Sequence, residues 1–337
     1  MKYRHSFHAG NFADVHKHVT LLALLAALAR KDKGFLYLET HAGPGAYEIA
    51  SGGARAGLAQ VLAGSTQTAQ SAQAAQAAQT AEATGAVAAT GAAEPEIAAF
   101  AAAVNAWRQR HGHQAYPGSP LLAAQLLRPQ DRAVFVELQP PEAHALERAL
   151  RPEERGPDGR APGGSPRPRR EPTAAAHVRT PAAHLRTPAA HVRVEMGDGF
   201  ERLRAHLPPA ERRGLVLIDP PYEQTQRDFE RAAAAVADSL RRFATGVIML
   251  WYPIKDARDS RAWREQLVPR LGAGVLVGEL WVHPCDSKVA LNGSGLLIVN
   301  PPYLIAERMR VWLPTLADLL AQQGQGGSLV LEELAPS

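Results

Sequence analysis

The chain has 337 residues, of which 46% are hydrophobic, so it can bury a large core as one domain or two. Its single cysteine, Cys285, excludes an internal disulfide framework and favours a reducing compartment. The net charge of +4 does not by itself indicate a nucleic-acid partner, because residues 151–193 hold nine arginines against four acids and the remainder is nearly neutral.

The first eighteen residues contain the clearest local cluster of basic side chains, namely Lys2, Arg4, His5, His8, His16, Lys17 and His18. Such side chains commonly contact the phosphates of a nucleic acid. Four histidines also suggest zinc, but no second regular pair of ligands accompanies them, so no metal is expected. A disordered basic tail is the alternative, because chain ends are often poorly ordered.

A helix is predicted to begin at Asn11, which serves as an N-cap with Asp14 three residues later. The apolar residues that follow lie at helical spacing: Val15, Val19, Leu22 and Ala26. The apolar run 19–29 is too short to span a bilayer, which needs roughly 20 residues. Its basic start and small final residues also fit a signal peptide, but a helix that docks on a sheet explains all of these features. The protein is therefore expected in the cytoplasm, without a membrane partner.

Strands that alternate with helices predict a doubly wound, mostly parallel α/β sheet. Seven strands are predicted, at 35–39, 132–138, 192–196, 215–218, 246–253, 274–282 and 295–299. Residues 1–337 are expected to form a single domain with a helical insertion subdomain at 51–130. Ser119 is predicted to cap a helix there, with Pro120 at the first helical position.

Two segments lack the apolar spacing of a packed element. Residues 63–93 are almost entirely Ala, Gln, Thr, Gly and Ser, whereas residues 151–190 are rich in Pro, Gly and Arg. The second segment contains a seven-residue repeat whose prolines forbid a continuous helix. Both segments are expected to be tolerated, disordered inserts.

A glycine-rich turn and three acids follow successive predicted strands. The turn contains Gly43 and Gly45 after the first strand, which is typical of nucleotide-binding units but also occurs in ordinary loops. Glu137 ends the second strand, where such folds bind ribose hydroxyls, and Asp198 and Asp219 follow the third and fourth. This order resembles the Rossmann-like methyltransferases that use S-adenosylmethionine. The resemblance implies that the turn holds the amino-acid end of the cofactor, Glu137 its ribose and Asp198 its adenine.

The stretch Asp219-Pro220-Pro221-Tyr222 places a carboxylate, a carbonyl-rich corner and an aromatic ring after a buried strand. Ligands bind at the carboxyl ends of strands in open α/β sheets. The amino group of adenine is a poor nucleophile, because its lone pair is delocalised into the ring. Asp219 and the Pro220 carbonyl can accept its two N–H bonds and so turn the lone pair toward a methyl donor. Tyr222 offers a face on which an extruded base can stack.

A second stretch, Asn300-Pro-Pro-Tyr303, matches the same pattern. It is also the signature of enzymes that methylate the side-chain amide of glutamine, and of some that methylate guanine. The strand before Asn300 runs antiparallel in this fold, so Asn300 is expected at the opposite edge of the sheet from the cofactor. Methylation of those planar amines is one alternative function, and a nonenzymatic RNA-binding assembly factor is another.

The N-terminal stretch Tyr3-Arg4-His5-Ser6-Phe7-His8-Ala9-Gly10-Asn11 closely resembles the RlmJ-type family, whose members methylate N6 of an adenine in 23S ribosomal RNA. The resemblance continues outside the two inserts, at His41-Ala-Gly43-Pro-Gly45, Tyr116-Pro-Gly-Ser119-Pro120, Asp198-Gly199-Phe200, Leu217-Ile-Asp219-Pro-Pro-Tyr222, Phe243-Ala-Thr-Gly246 and Leu250-Trp-Tyr-Pro253.

The resemblance implies an S-adenosyl-L-methionine-dependent methyltransferase that acts on 23S ribosomal RNA, and a monomer is expected. The residues implied in the cofactor pocket are His18, His41, Gly43, Ser119, Glu137, Asp198, Gly199 and Asp219. Asp219 would act on the amine, together with Pro220 and Tyr222. The residues expected to contact the RNA are Tyr3, Arg4, His5, His8 and Lys17, with Tyr3 at the target nucleotide.

Overall fold

A computed structural model gives the fold over residues 9–49, 57–63, 94–151, 191–223, 225–283, 291–321 and 328–336. The strands are β1 Leu36–Glu39, β2 Ala46–Glu48, β3 Ala115–Pro117, β4 Arg132–Glu137, β5 His191–Met196, β6 Gly214–Ile218, β7 Val247–Ile254, β8 Val275–Trp281, β9 Gly293–Val299 and β10 Ser328–Leu334. The helices are α1 Phe12–Ala29, α2 57–63, α3 Pro95–His111, α4 Ser119–Ala124, α5 Pro140–Leu150, α6 Gly199–His206, α7 Thr225–Arg242, α8 Ala257–Leu267 and α9 Ile305–Leu320.

One sheet of eight strands organises the fold, in the order β10-β8-β9-β7-β6-β1-β4-β5. Five neighbouring strands are mutually parallel, namely β7, β6, β1, β4 and β5. Strand β9 runs antiparallel to both β7 and β8. The α/β class is confirmed, and seven of the eight strands correspond to predicted ones.

The predicted count of seven strands is wrong by one, because β10 adds a strand at the β8 edge. Its sequence carries Glu332 and Glu333, and its residues are exposed or half-buried. An edge strand of this kind lacks the buried apolar run on which the sequence prediction relied. The short pairing of β2 with β3, through Tyr47 and Tyr116, was also not predicted.

Helices cover both faces of the sheet, and each face has its own core. Side chains along β1 and at the residue before it point alternately to opposite sides. Phe35 and Tyr37 pack with α1, α3 and α9, whereas Leu36 and Leu38 pack with α6, α7 and α8. The central strands are therefore shielded from water on both sides, as expected for a parallel sheet.

Helix α1 is a core helix. Asn11 caps it as predicted, because its side-chain oxygen accepts from the backbone N–H of Asp14 at 3.0 Å. By length and composition alone this helix could cross a membrane, with a mean hydropathy of 1.4, yet 72% of it is buried inside the protein. It packs on α3, α4, β9 and α9, so its apolar surface is used by the fold itself.

The predicted insertion subdomain at 51–130 is described only in part, by α2, α3, β3 and α4. The predicted inserts lie outside the described residues except at their borders, at residue 63 and at residue 151.

Candidate active site

Four of the predicted site residues lie where four neighbouring parallel strands end, namely Gly43, Glu137, Asp198 and Asp219. Thr40, directly after β1, donates its backbone N–H to the Leu217 carbonyl of β6 at 3.1 Å. On the other side, the Ala42 N–H bonds to Val136 of β4 at 2.9 Å, and the Gly197 N–H bonds to Glu137 at 3.0 Å. The loops that carry Gly43, Glu137, Asp198 and Asp219 therefore share one edge of the sheet, where ligands bind in this class of fold.

The glycine-rich turn is clamped to the acid that ends β4. Gly43 and Gly45 have φ angles of 64° and 78°, which glycine adopts without steric cost. The Gly43 N–H donates to Glu137 Oε2 at 2.8 Å, and the Gln139 N–H donates to Glu137 Oε1 at 2.8 Å. Each carboxylate oxygen keeps a second acceptor position, so Glu137 can still receive hydrogen bonds from a ligand.

Asp198 and Gly199 form a tight connection between β5 and α6. A Cβ atom at Gly199 would lie 1.8 Å from the Thr40 carbonyl oxygen, so only glycine fits there. Asp198 caps α6 by accepting from the Phe200 N–H at 2.9 Å. This contact fixes the orientation of the carboxylate at the start of α6.

Arg231 of α7 is a neighbour of the site that the sequence did not predict. Its guanidinium lies 2.6 Å from Asp198 Oδ2 and stacks 4.5 Å above the Phe200 ring. Burial alone would raise the pKa of Asp198, but Arg231 outweighs it, so the pKa lies below its usual value. Asp198 therefore presents a charged acceptor.

Asp219 is held by a buried ion-pair cluster from α1. Lys17 Nζ lies 2.5 Å from Asp219 Oδ2 and 2.9 Å from Asp14 Oδ1. Burial alone would lower the pKa of Lys17, but Asp14 and Asp219 reverse that effect and raise it. Lys17 is only 3% exposed, so its predicted contact with RNA phosphates is wrong: it neutralises two buried carboxylates instead.

Tyr222 packs inward. Its φ of 52° is unusual for a bulky residue, and its hydroxyl donates to the Trp251 carbonyl at 2.7 Å. The ring lies 4.7 Å from Phe229 and is 5% exposed, so it presents little surface to a base in this structure. Base stacking on Tyr222 stays a prediction, whereas its contact with Trp251 is a structural fact.

Glu39, the last residue of β1, is a further buried carboxyl, and no role for it was predicted from the sequence. Its oxygens accept from the Tyr37 hydroxyl at 2.8 Å and from Ser119 Oγ at 2.5 Å. Burial raises the pKa of Glu39 to about 8. The predicted capping role of Ser119 is wrong, because Gly118 is the N-cap residue of α4 and the serine hydroxyl is turned toward Glu39.

The two predicted histidines have different surroundings. His18 is buried against Tyr116, whose hydroxyl lies 2.8 Å from its Nδ1. His41 is half-buried beside the Phe200 ring, with Thr40 Oγ1 2.7 Å from its Nδ1. Burial lowers the pKa of His41 to about 4, so its imidazole is neutral at pH 7.

Asn300 lies at the other edge of the sheet, as its strand direction predicted. Its Nδ2 donates to the backbone carbonyls of Ala244 and Gly246 at 2.8 and 2.9 Å, in the turn that precedes β7. Its amide is thus used to close a structural turn.

The predicted RNA contacts Tyr3, Arg4, His5 and His8 lie outside the described residues. Among the residues that the structure does describe, no group of three or more His, Cys, Asp or Glu side chains could hold a metal ion.

Known proteins resemble this chain over nearly its whole length. The family described as "Ribosomal RNA large subunit methyltransferase D, RlmJ" matches residues 63–163 and 183–331. Two proteins named Ribosomal RNA large subunit methyltransferase J are similar. The one from Escherichia coli is 32% identical over 331 residues, covering 98% of both chains, and the one from Haemophilus influenzae is 30% identical over 339 residues, covering 100% of this chain and 99% of that protein.

A crystal structure of a protein from Legionella pneumophila has the same fold, with a TM-score of 0.68 at 28% identity over 98% of this chain and 99% of that one. The family match and the full-length relatives together show that this chain belongs to the RlmJ family of ribosomal RNA large subunit methyltransferases.

Proposed function

We propose that the protein transfers the methyl group of S-adenosyl-L-methionine to N6 of an adenine in 23S ribosomal RNA. The observation that carries this proposal is the Asp219 carboxylate, which follows β6 at the ligand-binding edge and is paired with buried Lys17. Membership of the RlmJ family supports the reaction class, and the adjacent Pro220 supplies the second acceptor that an amine needs.

The turn and acids at the end of β1, β4 and β5 fit such a cofactor. Gly43 and Gly45 let the backbone approach a ligand closely. Glu137 has acceptor positions left for ribose hydroxyls, and charged Asp198 suits the amino group of the adenine ring. Neutral His41, buried His18 and Ser119 complete the wall that the resemblance implies. When bound, the cofactor supplies an electrophilic methyl group on a sulfonium.

The residues of this chain then orient the acceptor amine. Asp219 Oδ and the Pro220 carbonyl oxygen accept the two N–H bonds of the amine, so its lone pair faces the methyl group. With the cofactor bound, the amine nitrogen would bond to the methyl carbon as the carbon–sulfur bond broke, and Asp219 or water would take the proton that the amine loses. Lys17 fixes the Asp219 carboxylate in place, because the two groups are in contact at 2.5 Å.

The RNA itself meets parts of the chain beyond this pocket. We propose that Tyr3, Arg4, His5 and His8 contact the RNA, since basic and aromatic side chains bind phosphates and bases. The protein would act in the cytoplasm, as its relationship to bacterial ribosomal RNA methyltransferases suggests. A monomer remains the expectation from the sequence.

The test is transfer of labelled methyl groups to protein-free 23S RNA, followed by nuclease digestion and mass analysis of the nucleosides. N6-methyladenosine at one position is the expected product, and a catalytically dead Asp219→Ala protein is the control. Appearance of methylguanosine, or of label in added ribosomal protein, would contradict the adenine assignment. Calorimetry with S-adenosylmethionine distinguishes a methyltransferase of any of these specificities from a nonenzymatic assembly factor, because the assembly factor would not bind the cofactor.

A further inference from the structure

A chain of buried hydrogen bonds holds the indole of Trp251. Its Nε1–H donates to Ser294 Oγ at 3.0 Å, and that oxygen lies 3.0 Å from His16 Nδ1. Ser294 and His16 are both 0% exposed, so bulk water does not replace either hydrogen bond. These two hydrogen bonds therefore connect β7 through β9 to α1.

The chemistry of the three groups gives the chain one direction. An indole N–H can only donate, so the Ser294 oxygen is the acceptor and its own hydrogen is left to point elsewhere. Burial lowers the pKa of His16 to about 3, so the ring is neutral and Nδ1 can accept that hydrogen. The other ring nitrogen, Nε2, has no hydrogen-bond partner among the described residues, and the contact with Ser294 is then the one that orients the ring.

Trp251 stands beside the catalytic loop. Leu250 pairs with Ile218, the last residue of β6, so Trp251 is level with Asp219. Lys17 Nζ lies 5.8 Å from the centre of its ring, and the Tyr222 hydroxyl bonds to its carbonyl. Unlike Tyr222, Trp251 is only half-buried, so part of its surface faces the space at this edge of the sheet.

Helix α1 links the two contacts through consecutive residues. His16 is connected to Trp251 by hydrogen bonds through Ser294, and the next residue, Lys17, forms an ion pair with Asp219. The separation of acid and indole is thus fixed by one rigid helix, which is how a scaffold holds groups to within about 0.5 Å.

We propose that His16 and Ser294 are positioning residues for methyl transfer, which fix the Trp251 indole as one wall of the pocket that receives the acceptor amine. The inference rests on the proposed function. It gives a reason for placing a histidine in the core, where its Nε2 atom is buried without a hydrogen-bond partner among the described residues. Burying such a polar atom lowers the stability of the fold.

A double-mutant cycle tests it. Ser294→Ala removes the hydroxyl and should lower kcat by about tenfold, since small misplacements at a reacting centre are costly, while KM for the cofactor stays unchanged. In a Trp251→Phe background, which has no indole N–H to position, Ser294→Ala should cause no further loss. An equal loss in both backgrounds would show a merely structural role and overturn the proposal.

Two matched variants serve as controls. Ser239→Ala deletes another hydroxyl that is 0% exposed and has no hydrogen-bond partner among the described residues, so kcat should not change. At position 16, His16→Asn keeps a polar atom near the place of Nδ1 and should retain more activity than His16→Leu. Equal activity of these two variants would contradict the proposal.

A spectroscopic measurement separates this inference from the proposed function. The indole N–H resonance of Trp251, assigned by its loss in Trp251→Phe, should exchange with solvent faster in Ser294→Ala than in the unmodified protein. This result is expected whether or not the protein methylates RNA. If the exchange rate is unchanged, the hydrogen-bond chain does not hold the indole and the inference fails by itself.

Discussion

The two Pro-Pro-Tyr loops of this protein have nearly the same sequence and opposite surroundings. Asp219 follows β6, a central parallel strand, and its carboxylate meets buried Lys17. Asn300 follows β9, an antiparallel strand, and its amide closes a turn by donating to two backbone carbonyls. Tyr222 is 5% exposed, whereas Tyr303 is 83% exposed.

The difference shows that strand direction, and not the tetrapeptide, decides at which end of the sheet each loop lies. A loop at the carboxyl end of a parallel strand joins the neighbouring loops that bind ligands. The same sequence after an antiparallel strand emerges at the far edge, where Asn300, with a φ of 51°, can adopt a left-handed conformation that asparagine tolerates.

Paired alanine substitutions at the two loops give the largest expected contrast. Asp219→Ala should lower kcat by about a thousandfold, within the range for loss of a group that acts on the proton, while the fold is kept. Asn300→Ala should leave kcat unchanged and lower the free energy of unfolding by about 1–2 kcal/mol, because two carbonyls lose their donor. Steady-state methyl transfer and denaturant unfolding measure both effects. Loss of activity in Asn300→Ala with an intact fold would break the comparison.

Replacing Lys17 tests whether its ion pair with Asp219 distinguishes the Asp219 loop from the Asn300 loop. Lys17→Met leaves Asp14 and Asp219 buried without their cation, which should cost about 3–5 kcal/mol of unfolding free energy. Methyl transfer should fall as well, because Asp219 loses the group that orients it. Lys33→Met, at an exposed lysine, is the matched control and should change neither quantity. An unaltered unfolding curve for Lys17→Met would show that the ion pairs do not form.

The tyrosines of the two loops should differ in stability. Tyr222→Ala empties a buried site against Phe229 and should cost about 3 kcal/mol, as for other large core side chains. Tyr303→Ala alters an exposed side chain and should stay within about 0.5 kcal/mol. Thermal unfolding of the two variants gives the comparison directly, and equal losses would contradict the burial described for Tyr222.

A pH dependence of stability is expected from Glu39, the last residue of β1. Burial raises the pKa of Glu39 to about 8, so the folded protein holds a proton there that the unfolded chain releases near its ordinary value of 4.5. Stability from this group is present below pH 4.5 and is lost as the pH rises to about 8. Relative to Glu39→Gln, the unmodified protein should lose unfolding free energy over that window. A constant difference between the two proteins from pH 5 to 8 would contradict the shifted pKa.

Local sequence patterns predicted the parts of the site that depend on strand ends. Glu137, Asp198 and the orientation of Asn300 follow from where apolar runs stop and which way each strand runs. Patterns of this kind carry no information about partners distant in sequence. Lys17 and Asp219 are 202 positions apart, so a lysine in a basic stretch was predicted to face phosphate when it faces a carboxylate.

The same limit explains the other omissions. Glu39 was visible only as a strand end, because its partner Ser119 lies 80 positions away. Arg231 is one of several basic residues on a helix, and only the packing of α7 beside α6 places it on Asp198. Edge strand β10 looks polar because one of its sides is open to solvent.

The burial of α1 has a consequence for how the protein is made. His16 must wait for Ser294, 278 positions later, before its contact can form. At about 5–20 residues per second of synthesis, this delay is roughly 14–56 s. We expect α1 to spend that interval without its contact to β9, and so to expose apolar surface that chaperones for nascent chains can bind.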